Sequence, residues 1–312
     1  MIITSAVTLE QLWQEVGFEP NVNQREAILH VQGPLYLPAG PGSGKTRVLL
    51  WRTLNLCAFH GVQPEEIYLS TFTEKAAHQL KEGLRTLFGL VTNHTGVPYD
   101  LSKMYIGTVH SLCQRLIADR RFYPFRQKKA MPSLIDELAQ YFYVYKNGIW
   151  SELIRASGLE DLAHSKINGL LNGHSSWSKY AAVTNSISLF NRLSEECIVP
   201  EVAREQASEP VLQAMLAMYA TYKQSLNVGS GVNLTDFSLL QQRALQVLES
   251  YTGAQGIFKH VFIDEYQDTN TIQERLFFKL AAGHRNICVV GDDDQALYRF
   301  RGATVENFVQ FP

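Results

Sequence analysis

Residues 37–49, LPAGPGSGKTRVL, place Gly40, Gly42 and Gly44, followed by Lys45, between an apolar run and a helical pattern. A strand that stops, a short glycine-rich loop and a helix that starts bring consecutive backbone N–H groups and a helix N-terminus into one concavity, which suits a polyphosphate. Gly42 and Gly44 let the main chain approach phosphate oxygens closely, Lys45 reaches toward the β and γ positions, and the Thr46 hydroxyl is placed to ligate Mg²⁺. The strict phosphate-loop pattern begins with glycine where Ala39 stands here, so the match is to the relaxed form. The alternative is a plain glycine-rich turn joining strand to helix.

Outward from this loop the chain alternates. PLYLPA, IYLSTF and MYIGTV read as short apolar strands, with helical patterns starting near Gly44, Thr73 and His110. From about residue 118 to 232 strand-like runs vanish, and SLIDELAQYFYVYKN, SKYAAVTNSISLFNRLSEE and PVLQAMLAMYATYKQSL read as amphipathic helices. Alternation then resumes with HVFIDE, a helix over TIQERLFFKLAAG, and NICVVGD. Strands alternating with helices imply βαβ units and a parallel sheet. The expected fold class is therefore α/β: residues 1–117 and 233–312 form one parallel-sheet domain, interrupted by an all-helical subdomain over 118–232.

Composition sets the limits. With 312 residues, 46% of them hydrophobic, the chain can bury a sizeable core. No apolar run approaches the roughly 20 residues of a membrane span, and the start MIITSAVTLEQLW lacks a signal-peptide pattern, so no membrane partner and a cytoplasmic location are expected. Cys57, Cys113, Cys197 and Cys288 are widely spaced without a CxxC pair, from which neither disulfides nor zinc are expected. A formal charge of −2 carries no nucleic-acid footprint of its own.

The second chemical motif is HVFIDEYQD, residues 260–268, an apolar strand delivering Asp264 and Glu265 to its C-terminal end, the edge of an α/β sheet where ligands bind. Asp264 is expected to hold Mg²⁺ through water, and Glu265 to polarise the water that attacks the γ-phosphate. This expectation requires their strand to neighbour the one before the phosphate loop. Alone, the stretch reads better as a solvated acidic turn after an edge strand.

The ordered series of motifs over residues 21–303 resembles the N-terminal part of UvrD/Rep-type superfamily 1 DNA helicases. NVNQREA resembles the family's adenine-reading motif, with Gln24 as the bidentate amide; AGPGSGKTR resembles its phosphate loop, which implies nucleotide contacts from Ala39, Gly40, Pro41, Gly42, Ser43, Gly44, Lys45 and Thr46, with Arg47 near the base. STFTEKAAHQL and GTVHSLCQRL are similar to the motifs facing single-stranded DNA, IDEYQDTNTIQ to the magnesium and water motif, and VVGDDDQALYRFRGA to the motif coupling ATP state to DNA grip. LTDFSLLQQRALQVL is similar to the segment leading back from the helical insertion. The resemblance implies a RecA-like phosphate-loop NTPase fold, ATP and Mg²⁺ as cofactors, and single-stranded DNA and DNA junctions as partners. DNA repair, nuclease or defence complexes would supply any protein partners, and oligomeric state is not indicated.

The added motifs carry chemistry consistent with this. Gln295 follows the acidic loop after ICVVGD and is expected near the γ-phosphate, where its amide senses the nucleotide state, as a third catalytic residue beside Lys45 and Glu265. Tyr298, Phe300 and Arg301 alternate aromatic and cationic groups suited to stacking bases and pairing phosphates, with core burial the alternative for both rings. Phe72 is similar to the family's other stacking aromatic, and Thr71, Thr73, Thr108 and His110 are expected to donate to the DNA backbone. Putting both sets on one domain lets ATP binding and release alternately tighten and loosen a strand.

The family also has a second RecA-like domain that supplies arginines worth about 10³–10⁵ in rate in comparable sites. This chain stops at VENFVQFP and is read as a fragment of such a protein, expected to be weakly active alone. Departures from the family pattern stand at Glu74, Gln79, Leu80, Gly83 and Ala296, and put the DNA grip rather than the ATP site in question. The stretch DRRFYPFRQKK offers Arg120, Arg121, Arg126, Lys128 and Lys129 either to DNA or to solvent as an entry loop. Two rivals to a 3′-to-5′ translocase follow. One is an ATP-sensing, DNA-binding subunit of a nuclease or defence complex without unwinding activity. The other is a small-molecule kinase, which leaves Gln24, GTVHS and DDDQALYRFRGA without a role.

Overall fold

Strands β1 (Leu35–Pro38), β2 (Ile67–Thr71), β3 (Tyr105–Thr108), β4 (Ser133–Leu134), β5 (Leu234–Thr235), β6 (His260–Ile263) and β7 (Ile287–Gly291) build two sheets. The larger is parallel at every pairing, in the order β1-β7-β6-β2-β3, and its members are the five apolar runs read as strands from the sequence. Strands β2, β3, β6 and β7 are buried along their whole length, as expected where helices cover both faces of a parallel sheet. The edge strand β1 instead alternates half-buried and exposed residues, and tolerates Pro38, which has no N–H to give a ladder.

The computed structural model describes residues 7–122, 131–159, 163–228 and 233–292. Two units separate: Met1–Phe125 with Leu245–Pro312, and Arg126–Ala244. The α/β unit contains α1 (Leu9–Glu15), α2 (Val22–Leu29), α3 (Lys45–Leu54), α4 (Glu74–Thr95) and α5 (Val109–Ala118). The helical unit contains α6 (Glu137–Tyr145), α7 (Asn147–Ser157), α8 (Ala163–Asn172), α9 (Lys179–Glu195), α10 (Pro200–Gln206) and α11 (Pro210–Val228), and also the short parallel pair β4-β5. The chain passes from one unit to the other within α12 (Phe237–Ser250), and α13 (Thr271–Ala281) lies between β6 and β7. Among the described residues, no helix is long and apolar enough to cross a membrane.

In the α/β unit Leu49, Leu54, Leu69, Leu80, Leu84, Phe262 and Val290 share one core. Beside them Phe18 stacks on Trp51 with ring centroids 5.7 Å apart, and Trp13 meets both rings edge-on. One charge is sunk into this core. Arg52 of α3, 1% exposed, donates to the main-chain oxygens of Ala27, at 2.7 Å, and His30, while Asn55 Nδ2 donates to the oxygen of Ile28 at 3.0 Å. These are carbonyls at the end of α2 that a helix terminus leaves unsatisfied. Burial lowers the Arg52 pKa from its ordinary value, and the Phe262 ring lies 5.5 Å from the guanidinium. The helix that starts at the phosphate loop thus holds the end of the helix that carries Gln24.

The helical unit is organised around its own buried carboxylate. Asp236 is 2% exposed; its Oδ1 accepts the Leu239 N–H at 2.7 Å, starting α12, and its Oδ2 accepts the Tyr222 hydroxyl at 2.7 Å and Gln140 Nε2 at 3.2 Å. Burial raises its pKa. The LTDF segment therefore ties α6, α11 and α12 together.

Arg52→Ala leaves the carbonyls of Ala27 and His30 without their charged donor. It is expected to destabilise the α/β unit by roughly 2–4 kcal/mol, read as a lower denaturation midpoint; an unchanged midpoint would mean that α2 is held by packing alone.

Candidate active site

Because every pairing in the large sheet is parallel, all five strands end on one edge. Along that edge the strand order places the phosphate loop after β1, Asp292 after β7, the acidic pair after β6, Thr71–Thr73 at the end of β2, and Thr108–His110 at the end of β3. The sequence-based expectation that β6 neighbours β1 is corrected here. Strand β7 lies between them, and contact is made across it by long side chains.

The loop continues the β1 ladder by one bond, Ala39 N–H to Gly291 O at 2.9 Å. Gly42 (φ 73°) and Gly44 (φ 85°) then adopt left-handed backbone, which turns the chain into α3. Gly44 is the residue before that helix and supplies no side-chain cap, so the first N–H groups of α3 face an open cavity of about 620 Å³. Phe18, Glu19, Gln24 and residues 42–47 line it. Gln24 closes a capping box with Asn21, accepting its N–H at 3.1 Å, and its Nε2 donates to Ser43 O at 2.9 Å. A primary amide has two protons and two lone pairs, so one donor and one acceptor remain to meet a base edge. The Arg47 guanidinium lies over the Phe18 ring at 5.2 Å, and both residues line the cavity.

At the β6 exit, Asp264 extends the other ladder through its N–H to Ser70 O at 2.9 Å. Its carboxylate is 8% exposed, and its pKa is pushed up to about 6, by burial first and by Glu265 second, against the pull of Lys45. Thr71 Oγ1 donates to Asp264 Oδ2 at a long 3.4 Å. Glu265 has left-handed backbone (φ 55°), uncommon for a residue with a side chain, and Lys45 Nζ stands 3.8 Å from its Oε2. Gln267, 2% exposed, donates from Nε2 to that same Oε2 at 2.8 Å and accepts the Asp292 N–H on Oε1 at 3.1 Å. These residues fit a hard cation: a carboxylate whose charged form is disfavoured by burial and by an acidic neighbour gains when a divalent ion arrives. Among the described residues no group of three or more His, Cys, Asp or Glu could hold a metal.

The residues expected to face DNA fall at the other end of the edge, and their hydroxyls are in use. Thr71 is 2% exposed and points its hydroxyl at Asp264; Thr73 caps α4, accepting the Ala76 N–H at 3.1 Å. Thr108 caps α5 and gives its proton to Glu74 at 2.8 Å. Phe72 and His110 are half-buried. Gln295, Tyr298, Phe300, Arg301 and the departure at Ala296 lie outside the described residues, as do Arg126, Lys128 and Lys129. Of the basic stretch, Arg121 is held by Asp119 at 2.9 Å and by Glu65 O at 3.1 Å, over the Tyr105 ring, and Arg120 is exposed. Leu80 is core, and a Cβ at Gly83 would meet Leu50 Cδ1 at 2.6 Å, so the glycine answers to the packing of α4 on α3.

Sequence reasoning passed over Phe18, Arg52 and Gln267. Only Gln267 had a signal, two residues beyond Glu265 inside the quoted acidic motif.

Residues 20–312 match the UvrD/REP helicase N-terminal domain. The chain belongs to that family. Relatives include the ATP-dependent DNA helicase PcrA of Bacillus subtilis (strain 168), 33% identical over 295 residues, and that of Staphylococcus aureus (strain COL), 30% identical over 295 residues. Each match covers 93% of this chain and 35% of the relative, so the chain spans about a third of the length of these proteins.

The buried carboxylate makes stability depend on pH. Folding raises the Asp264 pKa from 3.8 to about 6, so its contribution is fully present below pH 4 and is lost as pH rises through 6. Without nucleotide or Mg²⁺, Asp264→Asn is expected to melt a few degrees above the parent at pH 7.5, and the gap to close near pH 4. A gap that does not change with pH would place the effect elsewhere.

Proposed function

We propose that this chain is the ATP-binding and single-stranded-DNA-binding portion of a cytoplasmic superfamily 1 DNA helicase, which couples ATP hydrolysis to 3′-to-5′ movement along DNA and to unwinding at junctions. The observation that carries the reading is the approach of Lys45, from the phosphate loop, to within 3.8 Å of Glu265 at the β6 exit, with Asp264 buried beside them. In this reading the N–H groups of α3 and Lys45 hold the β and γ phosphates, Gln24 and Arg47 hold the base, and Glu265 takes the proton of the attacking water. Thr46 and Asp264 would hold Mg²⁺, which when bound neutralises charge developing between the β and γ phosphates. The direction of movement is taken from the family, and the DNA residues from the β2 and β3 exits together with Gln295, Tyr298, Phe300 and Arg301.

One observation favours a second reading. Glu74 occupies the Thr108 hydroxyl and adds negative charge where DNA phosphates would lie, which suits an ATP-sensing subunit of a nuclease or defence complex with a weaker grip on DNA.

The test is steady-state ATP hydrolysis by the full-length polypeptide carrying this chain, with and without single-stranded DNA. Strong stimulation is expected, with Lys45→Ala and Glu265→Gln each lowering kcat by about 10²–10⁴, and only Lys45→Ala losing nucleotide affinity. Hydrolysis indifferent to DNA overturns the translocase reading and leaves the second.

A further inference from the structure

We infer that Gln267 is the positioning residue for the catalytic carboxylate: its buried amide fixes Glu265 so that one oxygen, Oε1, is presented to the attacking water, and it ties that aim to the main chain at the β7 exit. The inference rests on the reading of Glu265 as the group that takes the water's proton.

Three observations carry it. First, Glu265 leaves β6 in left-handed backbone (φ 55°) and enters a single turn, Tyr266–Asp268, closed by the Asp268 N–H to Glu265 O bond at 3.0 Å. This turn brings the side chain two residues later back toward the carboxylate. Second, both grips on Glu265 fall on one atom: Gln267 Nε2 at 2.8 Å and Lys45 Nζ at 3.8 Å each address Oε2. The Glu265 side chain is 36% exposed, and among the described residues both contacts to its carboxylate fall on Oε2 rather than Oε1. A carboxylate held by one oxygen presents the other in a defined direction, the preorganisation that proton transfer to a base requires.

Third, the amide is oriented from both ends. Its Oε1 accepts the Asp292 N–H at 3.1 Å while its Nε2 donates to a carboxylate that can only accept, so neither contact survives a flip of the amide. At 2% exposed, Gln267 has little room for another rotamer. Asp292 directly follows β7, the strand that lies between β6 and β1. A shift of the β7 exit therefore moves the donor that aims Glu265.

The experiment uses Gln267→Met, which lacks both hydrogen bonds, and Gln267→Glu, which keeps an acceptor for the Asp292 N–H but loses the donor to Glu265. Hydrogen-bond partners that orient metal ligands typically change activity by 10–100-fold, and by analogy kcat for ATP is expected to fall by about 10–100-fold in both variants. KM and nucleotide affinity should stay within about twofold, because no phosphate or base contact is removed. In a Glu265→Gln background, Gln267→Met should cost nothing further, since the carboxylate it aims is gone. A kcat within twofold of the parent in both variants, while Glu265→Gln is inactive, overturns the inference and leaves the reading of Glu265 intact. So does a Gln267→Met protein that loses nucleotide affinity in step with kcat, which marks a general structural role. Full hydrolysis by Glu265→Gln overturns the reading of Glu265 itself, and with it the role given to Gln267.

Discussion

The parallel register of β1-β7-β6-β2-β3 is the constraint on which the rest depends. A parallel ladder puts every strand's C-terminal end on one edge, and here two bonds carry the ladders one residue beyond the strands: Ala39 N–H to Gly291 O, and Asp264 N–H to Ser70 O. The first sets where the phosphate loop begins, and the second sets how deep the first carboxylate sits. Both are main-chain bonds, so the positions of the loop and the acid survive changes in most side chains. What side chains decide is the reach across β7, made by Lys45 and Glu265, and the tie to the end of β7, made by Gln267.

This edge is held in tension. The N–H groups of α3 have no side-chain cap, Asp264 is buried with a raised pKa, and Glu265 sits in strained backbone beside it. Each is locally unfavourable, and the cation and polyphosphate proposed to bind here would relieve the first two. The surroundings compensate with main-chain hydrogen bonds and ring packing. Arg52 and Asn55 close the end of α2, and Phe18, which lines the cavity, is packed on Trp13 and Trp51. Binding sites that store unfavourable terms are stiff for this reason: the scaffold around them must exceed the strain they carry.

The strands of the large sheet were legible because fully buried parallel strands are short apolar runs, and the loop because its glycines and lysine follow a spacing that only a few backbone geometries need. The strand order was not, because nothing local in HVFIDE says whether its neighbour is β1 or β7; that is settled by helix lengths and crossovers along the whole chain. For the same reason the Glu74 and Thr108 hydrogen bond was hidden: each residue caps or opens a different helix, and only the pairing of β2 with β3 brings those helix starts together. Gly83 stood among the departures that put the DNA grip in question, and in the fold it answers to Leu50 on the neighbouring helix. Gln267 was visible as a letter of the motif, but its two partners lie on different strands' ends.

The two halves of the edge meet at Thr71. Its hydroxyl points at Asp264, while the residues that follow it are Phe72 and then Thr73, the cap of α4. In the proposed reading, a cation drawn to Asp264 competes for the oxygen that Thr71 addresses, and the response falls on the end of β2, one residue before the aromatic expected to stack a base. The 3.4 Å length of that contact makes it easier to give up than a short hydrogen bond. Signalling of this kind needs no separate lever. In that reading it needs a strand end shared between the acid and the residues proposed to face bases, and the β6-β2 pairing sets Ser70 beside Ile263.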